Sequence, residues 1–335
     1  MQPSSNLSRR NAAEQEDVLV SVIVPAFNAA RTISRALSSI GAQTHGAIEV
    51  IVVDDKSTDE TLAVLGAWTK FPIRVIALDE NAGPARARNA GLAVATGRYV
   101  AFLDADDEWL PEKTVLQAAA LQDNPEATLV VCDAACIDEC GKTVAREFAD
   151  APPVQGADAW RALLRYSFIA TPCVMARRAV FDEVGKFDTS LSVAEDQDMW
   201  IRMALAGPVL VIDKPLVRIH VSPASHMRKH ATREADFLLP MIERHVAQQR
   251  HRLSDAERRE MLGTRLGQIG RNAYIGGAPA VGARLLMRAA AIGHDPVGQV
   301  LFLLHASRPG RAVKRLLKRN DLRHSSAQHA DGPVS

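Results

Sequence analysis

Four β-branched runs separated by helix-patterned stretches constrain this chain more than any other feature. They are Val18-Leu-Val-Ser-Val-Ile-Val-Pro25, Glu49-Val-Ile-Val-Val53, Ile73-Arg-Val-Ile-Ala77 and Arg98-Tyr-Val-Ala-Phe-Leu103. Nearly unbroken apolar runs suit strands buried on both faces, as in a parallel sheet. Their alternation with helical periodicity predicts an α/β fold: three layers, a mostly parallel sheet, and helices on both faces joined by right-handed crossovers. Ser57-Thr-Asp-Glu60 reads as a capping box opening the second helix, and Pro111 sits where a first-turn proline would open a later one. Further on, the pattern predicts strands over Thr128–Cys132, Thr171–Met175 and Val209–Ile212, and helices over Ala159–Arg165 and Glu195–Ala206. Beyond His226 the strand signals end and four amphipathic helical stretches follow. The expected organisation is a flexible tail over residues 1–17, an α/β domain over 18–226 and a helical region over 227–335 that ends in a flexible tail.

Charge divides at the same place. The formal total is +1, yet residues 1–226 hold 21 basic and 30 acidic side chains while 227–335 hold 19 and 9. The balanced total argues against nucleic acid as a partner, because phosphate binding rests on a basic excess. In residues 297–319 an apolar block, Val297-x-x-Val-Leu-Phe-Leu-Leu304, precedes Arg308, Arg311, Lys314, Arg315, Lys318 and Arg319. That pairing fits either peripheral contact with an anionic membrane or docking on the preceding domain. The apolar block is far shorter than the roughly 20 residues a spanning helix needs. Four cysteines make no disulfide framework, and the N-terminus lacks the layout of a signal peptide. A cytoplasmic setting is expected, at the inner face of the membrane if the basic region touches lipid. Cys132, Cys136 and Cys140 read as ordinary thiols rather than a zinc site, which would need a fourth ligand close by.

In open α/β sheets ligands bind beyond the carboxyl ends of the strands, so the residues leaving each strand carry the functional signal. The first strand exits through Pro25-Ala-Phe-Asn28 without a glycine, which removes the dinucleotide fingerprint; Gly141-Lys-Thr143 has Cys136 where a phosphate loop needs its first glycine. The second strand ends in Asp54-Asp55 and the fourth in Asp104-Ala-Asp106-Asp107. Carboxylates crowded into one crevice raise each other's pKa unless a positive charge compensates, and a divalent cation supplies one. On an extended segment, Asp104 and Asp106 at i, i+2 share a face and offer hard oxygens to Mg²⁺ or Mn²⁺. A calcium loop is excluded by Trp109 and Val115, where it needs Gly and Glu. The competing reading is that these acids, Asp107 above all, cap the next helix. Arg86 and Arg88 diverge on a helix, so one of the two is expected to face the crevice.

These pieces, Val22-Ile-Val-Pro-Ala-Phe-Asn28, Val53-Asp-Asp-Lys-Ser-Thr-Asp-Glu-Thr61, Asn81-x-Gly…Arg88-Asn-x-Gly91 and Phe102-Leu-Asp-Ala-Asp-Asp107, stand in register with Gly185-Lys-Phe-Asp188 and Glu195-Asp196…Trp200-Ile-Arg202. Together they resemble the family 2 glycosyltransferases of the GT-A fold over roughly residues 18–225. The resemblance implies a metal-dependent, inverting transfer of a sugar from a nucleoside-diphosphate sugar, a UDP-sugar foremost, to a hydroxyl on a glycan or lipid-linked acceptor in cell-envelope synthesis. It implies that Pro25 and Asn28 line the nucleotide pocket, that Asp55 meets the base and that Asp104 lies near the ribose or the metal. Asp106 becomes the main ligand of Mn²⁺ or Mg²⁺, Asp196 the catalytic base, and Arg88 (or Arg86) a diphosphate contact. His220, in Arg218-Ile-His220…Ser225-His226, becomes a third metal ligand or a phosphate contact. Phe27 stands where a tyrosine is often found. Without the resemblance, Glu195 and Asp196 read as favourable charges at a helix N-terminus, and Trp200 and Met203 as its buried stripe. Two alternatives remain: a nucleotidyltransferase, which would show a Gly-rich basic loop after the first strand, and a catalytically silent sugar- or partner-binding module.

Overall fold

The computed structural model describes residues 18–221 and 231–306. Both expected tails, Ser225 and His226 of the downstream motif, and the basic series Arg308 to Arg319 lie outside the described residues.

The four apolar runs form β1 (Val20–Ala26), β2 (Ile48–Asp54), β3 (Arg74–Ala77) and β4 (Tyr99–Phe102), which pair in parallel in the order β3-β2-β1-β4. Burial explains their composition: β1 and β4 are covered on both faces, with Val22, Ile23, Val100 and Phe102 fully buried, whereas edge strand β3 exposes Val75. Five more strands complete a nine-stranded mixed sheet: β5 (Glu108–Trp109), β6 (Leu129–Ile137), β7 (Thr143–Arg146), β8 (Val174–Arg177) and β9 (Val209–His220). The order is β3-β2-β1-β4-β8-β6-β9-β5, with β7 on β6. β8 runs antiparallel between β4 and β6, so parallel pairing is confined to the first half of the sheet and to β6–β9.

Two strands depart from expectation because of proline. Thr171–Cys173 is a 3₁₀ turn and β8 starts only at Val174, since Pro172 has no N–H to give a ladder. β9 runs on past Ile212 to His220; the register shifts of β6 on either side of Asp133 accommodate Pro215.

Within residues 18–221, seven helices of six or more residues accompany the sheet, besides a single helical turn at Glu147–Asp150: α1 (Ile33–Gly41), α2 (Thr61–Gly66), α3 (Pro84–Leu92), α4 (Lys113–Asp123), α5 (Ala159–Arg165), α6 (Arg178–Val184) and α7 (Glu195–Ala206). The capping box expected at Ser57–Glu60 is not formed. Asp59 accepts from the Thr61 and Ala30 N–H groups, while the Ser57 hydroxyl accepts from Asn28 N–H, so this stretch braces the exit of β1 instead. Pro111 precedes α4 by two residues rather than opening it. Helix α3 lies so close to β1 that a Cβ on Gly91 would stand 2.5 Å from Ile23 Cγ2. Trp200 and Met203 of α7 are fully buried as expected, Trp200 in an aromatic cluster with Phe102 and Phe187.

The described residues divide into two compact units, one of 18–221 with 236–245 and one of 231–235 with 246–306. The first therefore takes most of α8 (Leu239–Gln248). The second contains α9 (Asp255–Ile275), opened by a reciprocal Ser254–Glu257 capping box, followed by α10 (Pro279–Ala291) and α11 (Pro296–Ala306). Among the described residues no helix is long and apolar enough to cross a membrane.

Candidate active site

The carboxyl ends of β1, β2 and β4 open into a crevice of about 770 Å³. It is lined by Pro25, Asn28, Asp55, Arg88, Asp104, Asp106, Asp196 and His220, all eight residues singled out in the sequence, together with Phe27, Asp107 and Thr171.

On the side of β1 and β2 the walls are tied by backbone bonds. Asn28 adopts φ 50°, a left-handed conformation that asparagine tolerates, and its side-chain oxygen accepts from Thr58 N–H at 2.8 Å. Asp55 is buried, yet its two oxygens accept from Ala82 N–H (2.9 Å) and Gly83 N–H (2.8 Å), the residues that lead into α3. Phe27 is 49% exposed and lines the crevice.

On the side of β4 the charge is denser. Asp104–Asp107 is not an extended continuation of the strand: the Asp107 N–H bonds back to the Asp104 carbonyl at 3.1 Å, closing a turn. Strand alternation is thus not what brings Asp104 and Asp106 to one crevice; the turn does. Asp107 does not cap a helix either. It is buried, and its carboxylate accepts from His220 N–H at 2.9 Å. Burial, and then the charges of Asp104 and Asp106, push the Asp107 carboxyl up to about 8. Burial raises Asp104 as well, with Asp106 adding to the rise and Arg88 opposing it.

Of the two arginines, Arg88 turns inward and Arg86 turns out to pair with Glu80 at the surface. Arg88 is buried against the Phe187 ring and bridges Glu195 Oε1 (2.7 Å) and Asp104 Oδ1 (3.3 Å). Desolvation disfavours its charge, but Asp104, Glu195 and Asp196 more than offset that and hold the guanidinium protonated. Glu195 is raised by burial and then by Asp196, with Arg88 opposing. Sequence reasoning passed over Glu195 as the partner of Arg88, a contact between residues 107 apart in the chain.

α7 starts directly after Ala194, a non-glycine residue at φ 65°. Its three acids go three ways. Glu195 pairs with Arg88; Asp196 faces the crevice, accepting from the Thr171 hydroxyl at 3.0 Å and from Gln197 N–H at 2.7 Å. Asp198 points to the far side, bonded to Arg202, Arg244 and His245 at 2.8–2.9 Å. Burial works against that carboxylate, but the bond to His245 and the charge of Arg202 hold it down at about 2.

His220 lines the crevice with its Nε2 turned to Glu108 Oε1 at 2.7 Å. Among the described residues no group of three His, Cys, Asp or Glu side chains is assembled to hold a metal ion. The donor set does fit one: two hard carboxylates, Asp104 and Asp106, open to the crevice where burial and mutual repulsion have left a shortage of positive charge. Cys132, Cys136 and Cys140 form neither a disulfide nor a metal site among the described residues.

Residues 21–185 match the model of Glycosyl transferase family 2. This segment is a family 2 glycosyltransferase domain. The whole chain is similar to solved glycosyltransferase structures at identities that speak for the fold alone. With S. aureus TarS 1-349 in complex with UDP the TM-score is 0.61 at 22% identity, covering 95% of this chain and 94% of that one. With the mannosyltransferase PcManGT of Pyrobaculum calidifontis, solved with GDP-Man and Mn²⁺, it is 0.59 at 20% identity over 96% and 93%. Among curated relatives, a UDP-Glc:α-D-GlcNAc-diphosphoundecaprenol β-1,3-glucosyltransferase of Escherichia coli is 38% identical over 109 residues, 32% of this chain and 43% of that enzyme. The chain spans less than half the length of the curated relatives it matches at 30% identity or above. The residues that the sequence resemblance grouped line one crevice.

Proposed function

We propose that this protein is an inverting, metal-dependent glycosyltransferase that moves a sugar from a nucleoside-diphosphate sugar to a hydroxyl of a glycan or lipid-linked acceptor in cell-envelope synthesis. The observation that carries this is one crevice holding the Asp104–Asp106 pair together with the Asp196 carboxylate. Asp55 and Asn28 would meet the nucleoside and Pro25 would pack beside it. UDP is the first nucleotide to test, because TarS has been solved with UDP.

A divalent cation at Asp104 and Asp106, Mn²⁺ or Mg²⁺, would neutralise the charge that develops on the departing diphosphate. His220, whose Nε2 is turned to Glu108, would serve as a further ligand or as a phosphate contact. Arg88 contributes its field at the same end of the crevice while it keeps Glu195 and Asp104 compensated. Asp196 accepts the proton of the acceptor hydroxyl as that oxygen attacks the anomeric carbon. The bond from that carbon to the diphosphate breaks on the opposite side, and the configuration inverts. Residues 18–226 form the catalytic domain in this reading, and 227–335 a helical region whose basic charge meets anionic lipid at the inner face of the cytoplasmic membrane. The E. coli relative's diphosphoundecaprenol substrate supports a lipid-linked acceptor.

The test is a panel of UDP-, GDP- and dTDP-sugars with a diphosphoundecaprenol-linked acceptor in anionic vesicles, read by mass spectrometry. Wild type should yield a product of inverted anomeric configuration and sediment with the vesicles at low salt. Asp196→Asn should lose transfer by at least about 10²-fold while it still binds UDP in the presence of Mn²⁺. Full turnover by that variant removes the assignment.

A further inference from the structure

The wall of the crevice formed by Thr171 and Pro172 is marked by no motif, yet it carries the contact that sets the geometry of Asp196. Thr171 is 4% exposed and its hydroxyl donates to Asp196 Oδ2 at 3.0 Å, while Gln197 N–H occupies Oδ1 at 2.7 Å. Each carboxylate oxygen is therefore held by one donor, and Oδ2 keeps a further lone pair toward the crevice.

The hydroxyl is itself aimed by rigid parts. A threonine has few χ1 choices, and its turn is fixed at both following carbonyls. Trp109 Nε1 donates to the Pro172 oxygen at 3.0 Å, and Gln117 Nε2 donates to the Cys173 oxygen at 2.7 Å. Trp109 stands two residues after the Asp104–Asp107 turn and is anchored in turn by its own N–H to Ser39 Oγ at 3.0 Å. Gln117 lies on α4, fully buried, with its side-chain oxygen bonded by Lys113 Nζ at 2.7 Å. The acid-rich turn after β4 and the turn that holds Asp196 are thus fastened to each other through a buried indole.

The chemistry of the donor separates Asp196 from its neighbours. Glu195 is neutralised by Arg88, and Asp198 is held by Arg202, Arg244 and His245. The pairs on Asp198 stabilise it as an anion and weaken it as a proton acceptor, while Glu195 is occupied by Arg88. A hydroxyl and a backbone N–H orient a carboxylate with no full positive charge attached.

We infer that Thr171 is a positioning residue: its hydroxyl fixes the Asp196 carboxylate in the orientation from which Oδ2 reaches the acceptor hydroxyl. The inference rests on the assignment of Asp196 as base. Its test compares Thr171→Val, which keeps the shape and loses the hydroxyl, with Thr171→Ser, which keeps the hydroxyl. Full-length variants are assayed with whichever nucleotide sugar the wild type turns over, and Asp196→Asn is run beside them. Thr171→Val should lower kcat roughly 10- to 100-fold, leave acceptor KM within about twofold and leave UDP affinity in Mn²⁺ unchanged. Thr171→Ser should recover most of the rate. Should Thr171→Val fail to fold, Thr171→Ala serves as the variant without the hydroxyl. Wild-type kcat in the variants lacking the hydroxyl, a serine variant as slow as they are, or a parallel loss of UDP binding overturns the inference. If Asp196→Asn is inactive while the variants lacking the hydroxyl run at the wild-type rate, the inference falls and the base assignment stands; if Asp196→Asn is fully active, both fall.

Discussion

The two strands that flank β1 are each followed by an acid at the crevice, Asp55 and Asp104, and the two acids are satisfied in opposite ways. Asp55, after β2, rests on two backbone N–H groups supplied by the loop into α3. Asp104, after β4, shares the single guanidinium of Arg88 with Glu195 and sits beside Asp106 and Asp107. Backbone donors are neutral, fixed by the fold and present whenever the loop is closed; a side-chain cation is one charge that several acids divide. The β2 side of the crevice is therefore fixed by the backbone, and the β4 side is held short of positive charge, a condition that favours an incoming cation.

The largest test of that contrast is Arg88→Leu. It leaves Asp104 and Glu195 without their cation, and removing one partner from a buried charge cluster should cost about 3–5 kcal/mol in chemical denaturation, together with loss of transfer. A cost as small as that of an exposed pair would show that the cluster is solvated and the contrast unreal.

Asp198 provides an intermediate case, an acid held by side chains but with enough of them. Asp198→Asn should cost about 2 kcal/mol at neutral pH. Because the folded-state value, about 2, lies below the unfolded value of about 3.9, the contribution is complete above pH ~4. It is lost as pH falls toward 2, so the gap between wild type and variant should close over that interval. The groups facing the carboxylate are Arg202, Arg244 and His245, with Asp188 3.8 Å from Arg244. A gap independent of pH would mean that the ionised form is not what the cluster stabilises.

The smallest effect belongs to Asp55→Asn. It replaces one acceptor by an N–H facing another N–H, and should cost about 1–2 kcal/mol by thermal melting. UDP affinity should fall if the base lies against this residue.

How much of this was readable in the sequence follows the same divide between local and distant interactions. α5 and α7 were legible to the residue because their periodicity and termini are local signals, and the four parallel strands because burial on both faces demands unbroken apolar runs. The residues of the crevice were legible because strand ends converge. What each residue touches was not. Only the fold selects Arg88 over Arg86, gives Glu195 to Arg88, and brings Thr171 to Asp196 across 25 positions. Ser57-Thr-Asp-Glu60 carries a local signature that tertiary contacts overrode, since Asn28 N–H takes the Ser57 hydroxyl and Asp54 takes the Ser57 N–H, the two groups of Ser57 that would have closed the box. The short strands β5 and β7 offer too few residues for a pattern to show.

The seam between α3 and β1 has a consequence for anyone comparing this chain with its relatives. Since no methyl group fits between Gly91 and the Ile23 side chain, a chain that lays this helix on this strand at the same distance, with isoleucine at the same point, needs glycine there. Gly91 lies on the same helix as Arg88, one turn further on. A glycine at this place in an alignment is a marker of the scaffold; it carries no information about the donor or the acceptor, which has to be sought in the residues whose side chains end in the crevice.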